Sequence, residues 1–358
     1  MRYIKGLDTL RAFAVILVIF HHWDLPFRGP ESFHHLFLEL LPSGNFGVDL
    51  FFVLSGYLIT SILLNALKKD PDKIRIIKNF IIRRSLRIFP VYYLTIFILL
   101  LLDYPDMHED LLWCLTYTYN ILAYRTQTWR PMVHLWSLAV EEQFYLIWPW
   151  CIVYFKEKYL KYVFIGAMII GITSLILTTK VFGNLFGVLL MPSCMESFGI
   201  GGLYAWLSEK GREKGLTRFM RFINIALPFA FAATLYWSFA ANGGHFHYWF
   251  RTAYVIICIW LIHQVIHIRP GKIRTGFLEN PVLMKIGQIS YGIYLFHKPL
   301  PYFSDHWMKW VALHNNWPLF ANFYFMYGFD LLLLFALSLA SYHFFEKPVM
   351  QLKRYFEY

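Results

Sequence analysis

Of the 358 residues, 58% are hydrophobic, 20% aromatic and only 15% charged, a balance too apolar for an ordinary soluble protein. The formal net charge of +11 does not mark a nucleic-acid binder, because the basic residues sit in short loops between apolar runs, where orientation signals lie. An all-α integral membrane protein is expected, a single domain over 1–358 with no soluble domain fused to it.

Apolar segments able to cross about 30 Å of hydrocarbon run near 8–25, 46–66, 86–102, 136–155, 162–180, 188–208, 222–241, 250–267, 285–303 and 321–344. They predict about ten transmembrane helices. The first follows a charged start, Arg2 and Lys5, but no small-residue cleavage site succeeds His21, His22 and Trp23, so it reads as an uncleaved span. With both termini cytoplasmic, roughly 25 of the 33 Lys and Arg fall on the cytoplasmic side and about six outside. The expected site is the cytoplasmic membrane. Residues 111–124 are too short for a further span and are rich in Trp and Tyr, which predicts a re-entrant or interfacial segment. The four cysteines are scattered without the paired spacing of a zinc or redox centre, and no metal is expected.

Inside the first span lie Arg11 and His22. Eleven residues of helix place them about 20° apart on one face and ~16 Å apart along the axis. Ionisable groups in hydrocarbon are tolerated where they face a polar interior; the alternative is an Arg11–Asp8 pair with a histidine at headgroup depth. Asp49, near the start of the second span, matches His22 in depth and is expected to orient it as a base, unless it serves only the helix N-terminus. Ser55 and Gly56 read as close-packing residues.

Arg83, Arg84 and Arg87 open the third span. The last two share a helix face and suit bidentate phosphate binding by a phosphorylated cytosolic donor, although basic residues belong in this loop in any case. Glu141 and Glu142, with Gln143 beside them, lie in the fourth; successive residues diverge by about 100°, so only one glutamate faces a given cavity squarely. Either suits acid–base work or a sugar hydroxyl. His134, at the mouth of that span, is a candidate acceptor contact. By depth, Arg11, Arg84 and Arg87 fall toward the cytoplasm and His22, Asp49 and Glu141 in the outer half.

The stretches GLDTLRAFAVILVIFHH, FGVDLFFVLSGYLIT, RRSLRIFPVYY, HLWSLAVEEQFYLIWP, ISYGIYLFHKPL and FFEKP, in this order along the chain, resemble acyltransferase family 3. The resemblance implies a ten-helix membrane enzyme that moves an acyl group, usually acetyl, from cytosolic acyl-CoA as co-substrate to an extracytoplasmic hydroxyl of a glycan or lipid. By motif position, Arg11 and His22 match the family's Arg and His of the first helix, Arg84 and Arg87 its Arg-x-x-Arg donor motif, and Glu141 its acidic position. His297 falls in the penultimate-helix motif as a candidate cavity contact, with Glu142, Gln143 and His134. Partners implied are the bilayer, the bacterial surface glycan and, because many members carry a fused esterase-like domain, a separate esterase-like or glycan-assembly protein. The competing reading is a transporter of an anionic or lipid-linked precursor; a variant of the first keeps the fold but takes succinyl or another acyl donor.

Overall fold

The structure is a computed structural model that describes residues 4–23, 43–240, 249–267, 273–315 and 317–357. Residues 24–42, with the end of the first predicted span and Arg28, and residues 268–272, with Arg269 and Lys272, lie outside the described residues. Among those described there is no strand.

The helices that build the site are α1 (Gly6–His22), α2 (Gly44–Leu67) and α3 (Lys73–Leu101), then the short α4 (Met107–Leu115) and α5 (Tyr119–Thr126), and α6 (Leu135–Tyr154). They are followed by α7 (Leu160–Ile176), α8 (Met191–Leu207), α9 (Glu213–Ala240) and α10 (Trp249–Ile266). The chain closes with α11 (Ile273–Leu278), α12 (Pro281–Gln288), α13 (Ser290–Phe296), α14 (Pro299–Asn315), α15 (Phe323–Ser341) and α16 (Lys347–Met350). Several starts are fixed by side chains that meet orphan amides: Asp72 accepts from Arg75 N before α3, and Asn280 accepts from Val282 N and Leu283 N before α12, with Pro281 at the first helical position.

Five described helical stretches are long and apolar enough to cross a membrane: Gly44–Leu67, Lys73–Leu101, Glu157–Val181, Glu213–Tyr236 and Tyr324–Tyr355. The chain is therefore a multi-pass membrane protein. Residues 111–124 divide between α4 and α5, with Tyr117 at φ 52° in the turn. At 1.5 Å per residue each helix is roughly 12–14 Å long, less than half a bilayer.

The predicted span 285–303 needs correction. Residues 285–303 are not one helix but parts of α12, α13 and α14, interrupted at Ile289 and again at His297 and Lys298. Pro299 and Pro301 explain the second break, since neither has an N–H to donate back to the carbonyl four residues earlier.

Packing is closest where α2 meets α8. A Cβ on Gly56 would collide with the Phe198 carbonyl, and one on Gly201 with the Val53 carbonyl, so the two backbones approach at small residues as membrane helices commonly do. Phe144 of α6 stacks on Phe198 of α8 with centroids 3.9 Å apart, and Phe52 of α2 lies 4.8 Å from the same ring. This buried aromatic cluster fixes α2, α6 and α8 relative to one another, while α1 packs against α2 and α12.

Candidate active site

Two of the cavities among the described residues gather candidate site side chains. The first, of about 90 Å³, is lined by Arg11 of α1, Ser55 of α2, Arg84 and Arg87 of α3, and Glu141 and Tyr145 of α6. Arg11 reaches Asp8 at 3.4 Å and also lines this arginine chamber. Glu141 is held by two hydroxyls: Ser55 Oγ donates to Oε1 at 3.0 Å and Tyr145 OH to Oε2 at 3.0 Å. Arg84 lies 5.6 Å from the centre of the Tyr145 ring. Three cations and one clamped carboxylate in a cavity of this kind suit an anionic group bearing several oxygens.

The second cavity, of about 210 Å³, is lined by His21 and His22 of α1, Asn45 of α2, Arg130, Trp129 and Trp136, and Lys298. Around His22 the hydrogen bonds set the proton positions. His297 Nδ1 lies 2.6 Å from the Tyr294 carbonyl, and a carbonyl only accepts, so Nδ1 carries the hydrogen and Nε2 is left with a lone pair. That Nε2 is 3.1 Å from His22 Nδ1, which is also 3.0 Å from the Val18 carbonyl. His22 Nδ1–H therefore donates, shared between two acceptors, and His22 Nε2 is the basic atom. This is the arrangement of an oriented general base.

The broken helix supplies the acceptors. Without an N–H on Pro299, the Leu295 carbonyl has no helical donor, and His134 Nε2 approaches it at 3.3 Å. Without one on Pro301, the His297 carbonyl is likewise open, and Trp23 Nε1 donates to it at 2.7 Å. Carbonyls freed at a helix interruption need partners at membrane depth; here two of them position a histidine and a tryptophan.

Several expectations are corrected. Asp49 does not meet His22: its Oδ1 accepts from Arg251 Nε at 2.9 Å and from Ser197 Oγ at 2.8 Å. Arg251 also donates to the Ser193 carbonyl at 2.8 Å. This buried pair joins α2, α8 and α10, and His297 takes the partner's place that Asp49 was expected to fill. Glu141 lies with the arginines rather than with His22, because it points across α6 toward Ser55. His134 is not at a cavity mouth but fully buried, its ring 5.1 Å from that of His297. Gln143 is occupied with Asn120 and the Tyr117 carbonyl, which ties α6 to α5. Arg83 donates to the Lys353 carbonyl at 2.9 Å and anchors the C-terminal segment. Glu142 is buried with Oε1 lacking a protein partner and does not line the arginine chamber, as the 100° rule requires once Glu141 does.

Sequence reasoning read Ser55 as a packing residue and did not single out Tyr145, Ser137, Tyr294, Lys298 or Arg130 for the site. Tyr145 carried a usable signal, since it follows Glu141 by one helical turn. Arg130 is set by Glu109 at 2.8 Å, Asp110 at 2.9 Å and Asp106 at 3.5 Å. The Glu109 hydrogen bond and the neighbouring Asp110 and Asp106 charges hold its guanidinium above the ordinary value, so the rim of the histidine chamber keeps a permanent cation.

Comparison with known proteins places the chain in a family. The family described as "Acyltransferase domain" matches residues 4–345. The chain belongs to acyltransferase family 3. The chain is 28% identical to "O-acetyltransferase OatA" of Staphylococcus aureus, strains NCTC 8325 and COL, over 97% of its own length and 57% of theirs. A putative O-acetyltransferase of strain MSSA476 is 27% identical over the same shares. The chain thus spans little more than half the length of these relatives. No solved structure matches it.

Proposed function

We propose that this acyltransferase moves an acyl group, acetyl in the first instance, from cytosolic acyl-CoA to a hydroxyl of an extracytoplasmic carbohydrate, through about ten spans of the cytoplasmic membrane with both termini cytoplasmic. The observation that carries the reading is the pair of unlike chambers: one gathers Arg11, Arg84 and Arg87, the other holds His22 with its proton directed by His297. In this reading the arginines take phosphates of the donor and the thioester arm reaches toward His22. His22 Nε2 takes the proton of the acceptor hydroxyl as its oxygen attacks the thioester carbonyl; the C–S bond breaks, and the proton passes to the leaving thiolate to give free CoA and the ester. Glu141 holds the walls of the donor chamber through Ser55 and Tyr145 rather than exchanging a proton with the acceptor. The curated relatives' printed names, O-acetyltransferase, support acetyl and an oxygen acceptor.

The greater length of those relatives favours a second route in which the acyl group passes first to a separate esterase-like or glycan-assembly partner. Labelled acetyl-CoA supplied to membranes bearing the wild type or His22→Ala tests the main reading. Label on surface glycan that disappears in the variant, at equal membrane abundance, is the expected result. Equal labelling would remove His22 from the reaction, and absence of label with the wild type would turn attention to succinyl and longer donors.

A further inference from the structure

The two chambers are back to back, and they share two wall residues, Tyr294 and Val48. Tyr294 belongs to a polar stripe on α13 and the turn after it: Ser290, Tyr291 and Tyr294 line the arginine chamber, and Tyr294 and Lys298 line the histidine chamber. Spacings of three and four residues put these on one helix face, so that face runs from one cavity into the other.

The Tyr294 side chain is fastened across the passage. Ser137 Oγ is 2.5 Å from its hydroxyl, and that hydroxyl donates to the His134 carbonyl at 3.0 Å. Both partners belong to α6 or the residue before it, on the opposite wall from α13. The Phe51 ring, which lines the arginine chamber, meets the Tyr294 ring edge-on at 6.5 Å. The arginine chamber, at about 90 Å³, is well below the ~300 Å³ at which small-molecule sites begin. As it stands it does not admit an acyl-pantetheine arm that continues to His22.

We propose that Tyr294, latched to Ser137 and the His134 carbonyl, is the gate between the donor and acceptor chambers and must swing aside for the thioester to reach His22. The assignment rests on reading the chambers as donor and acceptor sides. The latch is two hydrogen bonds, a net barrier of the size that side-chain rotation overcomes readily, while the ring supplies the bulk that keeps water of one chamber from the other. Tyr294 is a positioning residue here: it decides when the reacting groups meet and takes no part in bond making.

Thiol accessibility tests the gate without depending on catalysis. Asn45→Cys reports the histidine chamber and Ser55→Cys the arginine chamber, each above the background of native Cys114, Cys151, Cys194 and Cys258. A membrane-impermeant anionic methanethiosulfonate is added to sealed vesicles of either orientation. The face from which Asn45→Cys reacts identifies the side to which the histidine chamber opens. From that face, Ser55→Cys is expected to react slowly with Tyr294 intact and at least about tenfold faster with Tyr294→Ala, the change that ~1.4 kcal/mol of lost barrier produces. If Tyr294→Ala does not insert, Tyr294→Phe combined with Ser137→Ala removes the latch and keeps the ring, and a several-fold rise is expected. Ser55→Cys reacting as fast as Asn45→Cys with Tyr294 intact would overturn the proposal. So would an unchanged rate in the Tyr294 variants while Asn45→Cys labels normally. Absence of acetyl transfer together with the expected labelling would sink the reaction reading and leave the gate standing.

Discussion

His22 Nδ1 and His297 Nε2 lie 3.1 Å apart, and the direction of the hydrogen between them is fixed from outside by the Tyr294 carbonyl on His297 Nδ1. A base whose tautomer is set by a neighbour loses that setting when the neighbour is replaced. His297→Leu should lower acetyl transfer by about 10–100-fold, the usual cost of removing an orienting partner, with the protein still inserted. His297→Gln, whose Oε1 can stand near the site of Nε2, should recover part of the loss. Equal, full activity in both variants would show that His297 does not orient the base.

The donor chamber makes a different kind of prediction. Arg84→Ala and Arg87→Ala should raise KM for acetyl-CoA more than they lower kcat, and Arg→Lys at either position should rescue incompletely, because an ammonium does not reproduce the planar two-point contact of guanidinium with phosphate. A steady-state comparison of acetyl-CoA with a truncated acetyl-pantetheine donor distinguishes the cause. The truncated donor should be insensitive to both substitutions.

Asp49 and Arg251 are only 4% and 10% exposed at their side chains, and removing one member of such a pair leaves the other buried and uncompensated, at a cost of about 3–5 kcal/mol. Asp49→Leu and Arg251→Met singly should therefore reduce the amount of folded protein in detergent. The double variant should recover much of it and transfer acetyl at near the wild-type rate per folded molecule. A double variant that folds but is inactive would return Asp49 to the reaction.

Trp23 supplies the donor to the His297 carbonyl. Trp23→Phe leaves that buried acceptor unmet and should cost about 1–3 kcal/mol, read as a lower Tm in detergent. His22 retains its other contacts, so activity below the transition should fall less than in His297→Leu.

Gly56 and Gly201 sit where each added Cβ meets backbone of the facing helix, an obstacle that no side-chain rotation relieves. Gly56→Ala or Gly201→Ala should lower Tm by several degrees, corresponding to about 1–3 kcal/mol of overpacking. Gly166, whose added Cβ meets nothing within 4 Å, serves as the control, and Gly166→Ala should leave Tm unchanged.

How far the sequence could be read follows from which interactions are local. Arg84 and Arg87 lie on one helix and line one cavity, so 3.6-residue periodicity suffices to associate them, whereas Arg11 and His22, also on one helix, line different cavities. The membrane class followed from composition, and the restriction to one of Glu141 and Glu142 followed from helix rotation. The partners of His22 and Asp49 were not accessible in the same way. His297 is 275 positions from His22 and Arg251 is 202 from Asp49, and depth matching has no means of ranking such distant candidates. The interruption before α14 was visible as Pro299 and Pro301, yet hydropathy alone runs through them, since proline at a helix start costs the apolar average little. Ser55 was read as a packing residue because its carboxylate partner, Glu141, is 86 positions away.

The interruption around Pro299 also bears on how this protein can change over time. The atoms that orient His297, hold His134 and receive Trp23 are main-chain oxygens of Tyr294, Leu295 and His297, and every amino acid presents the same oxygen. Substitution at Leu295 can thus alter packing while leaving that acceptor in place, whereas insertion or deletion of a single residue between Tyr294 and Pro299 would rotate all three oxygens away from their donors. The segment is tolerant in spelling and intolerant in length, and sequence drift and register drift should have opposite consequences there.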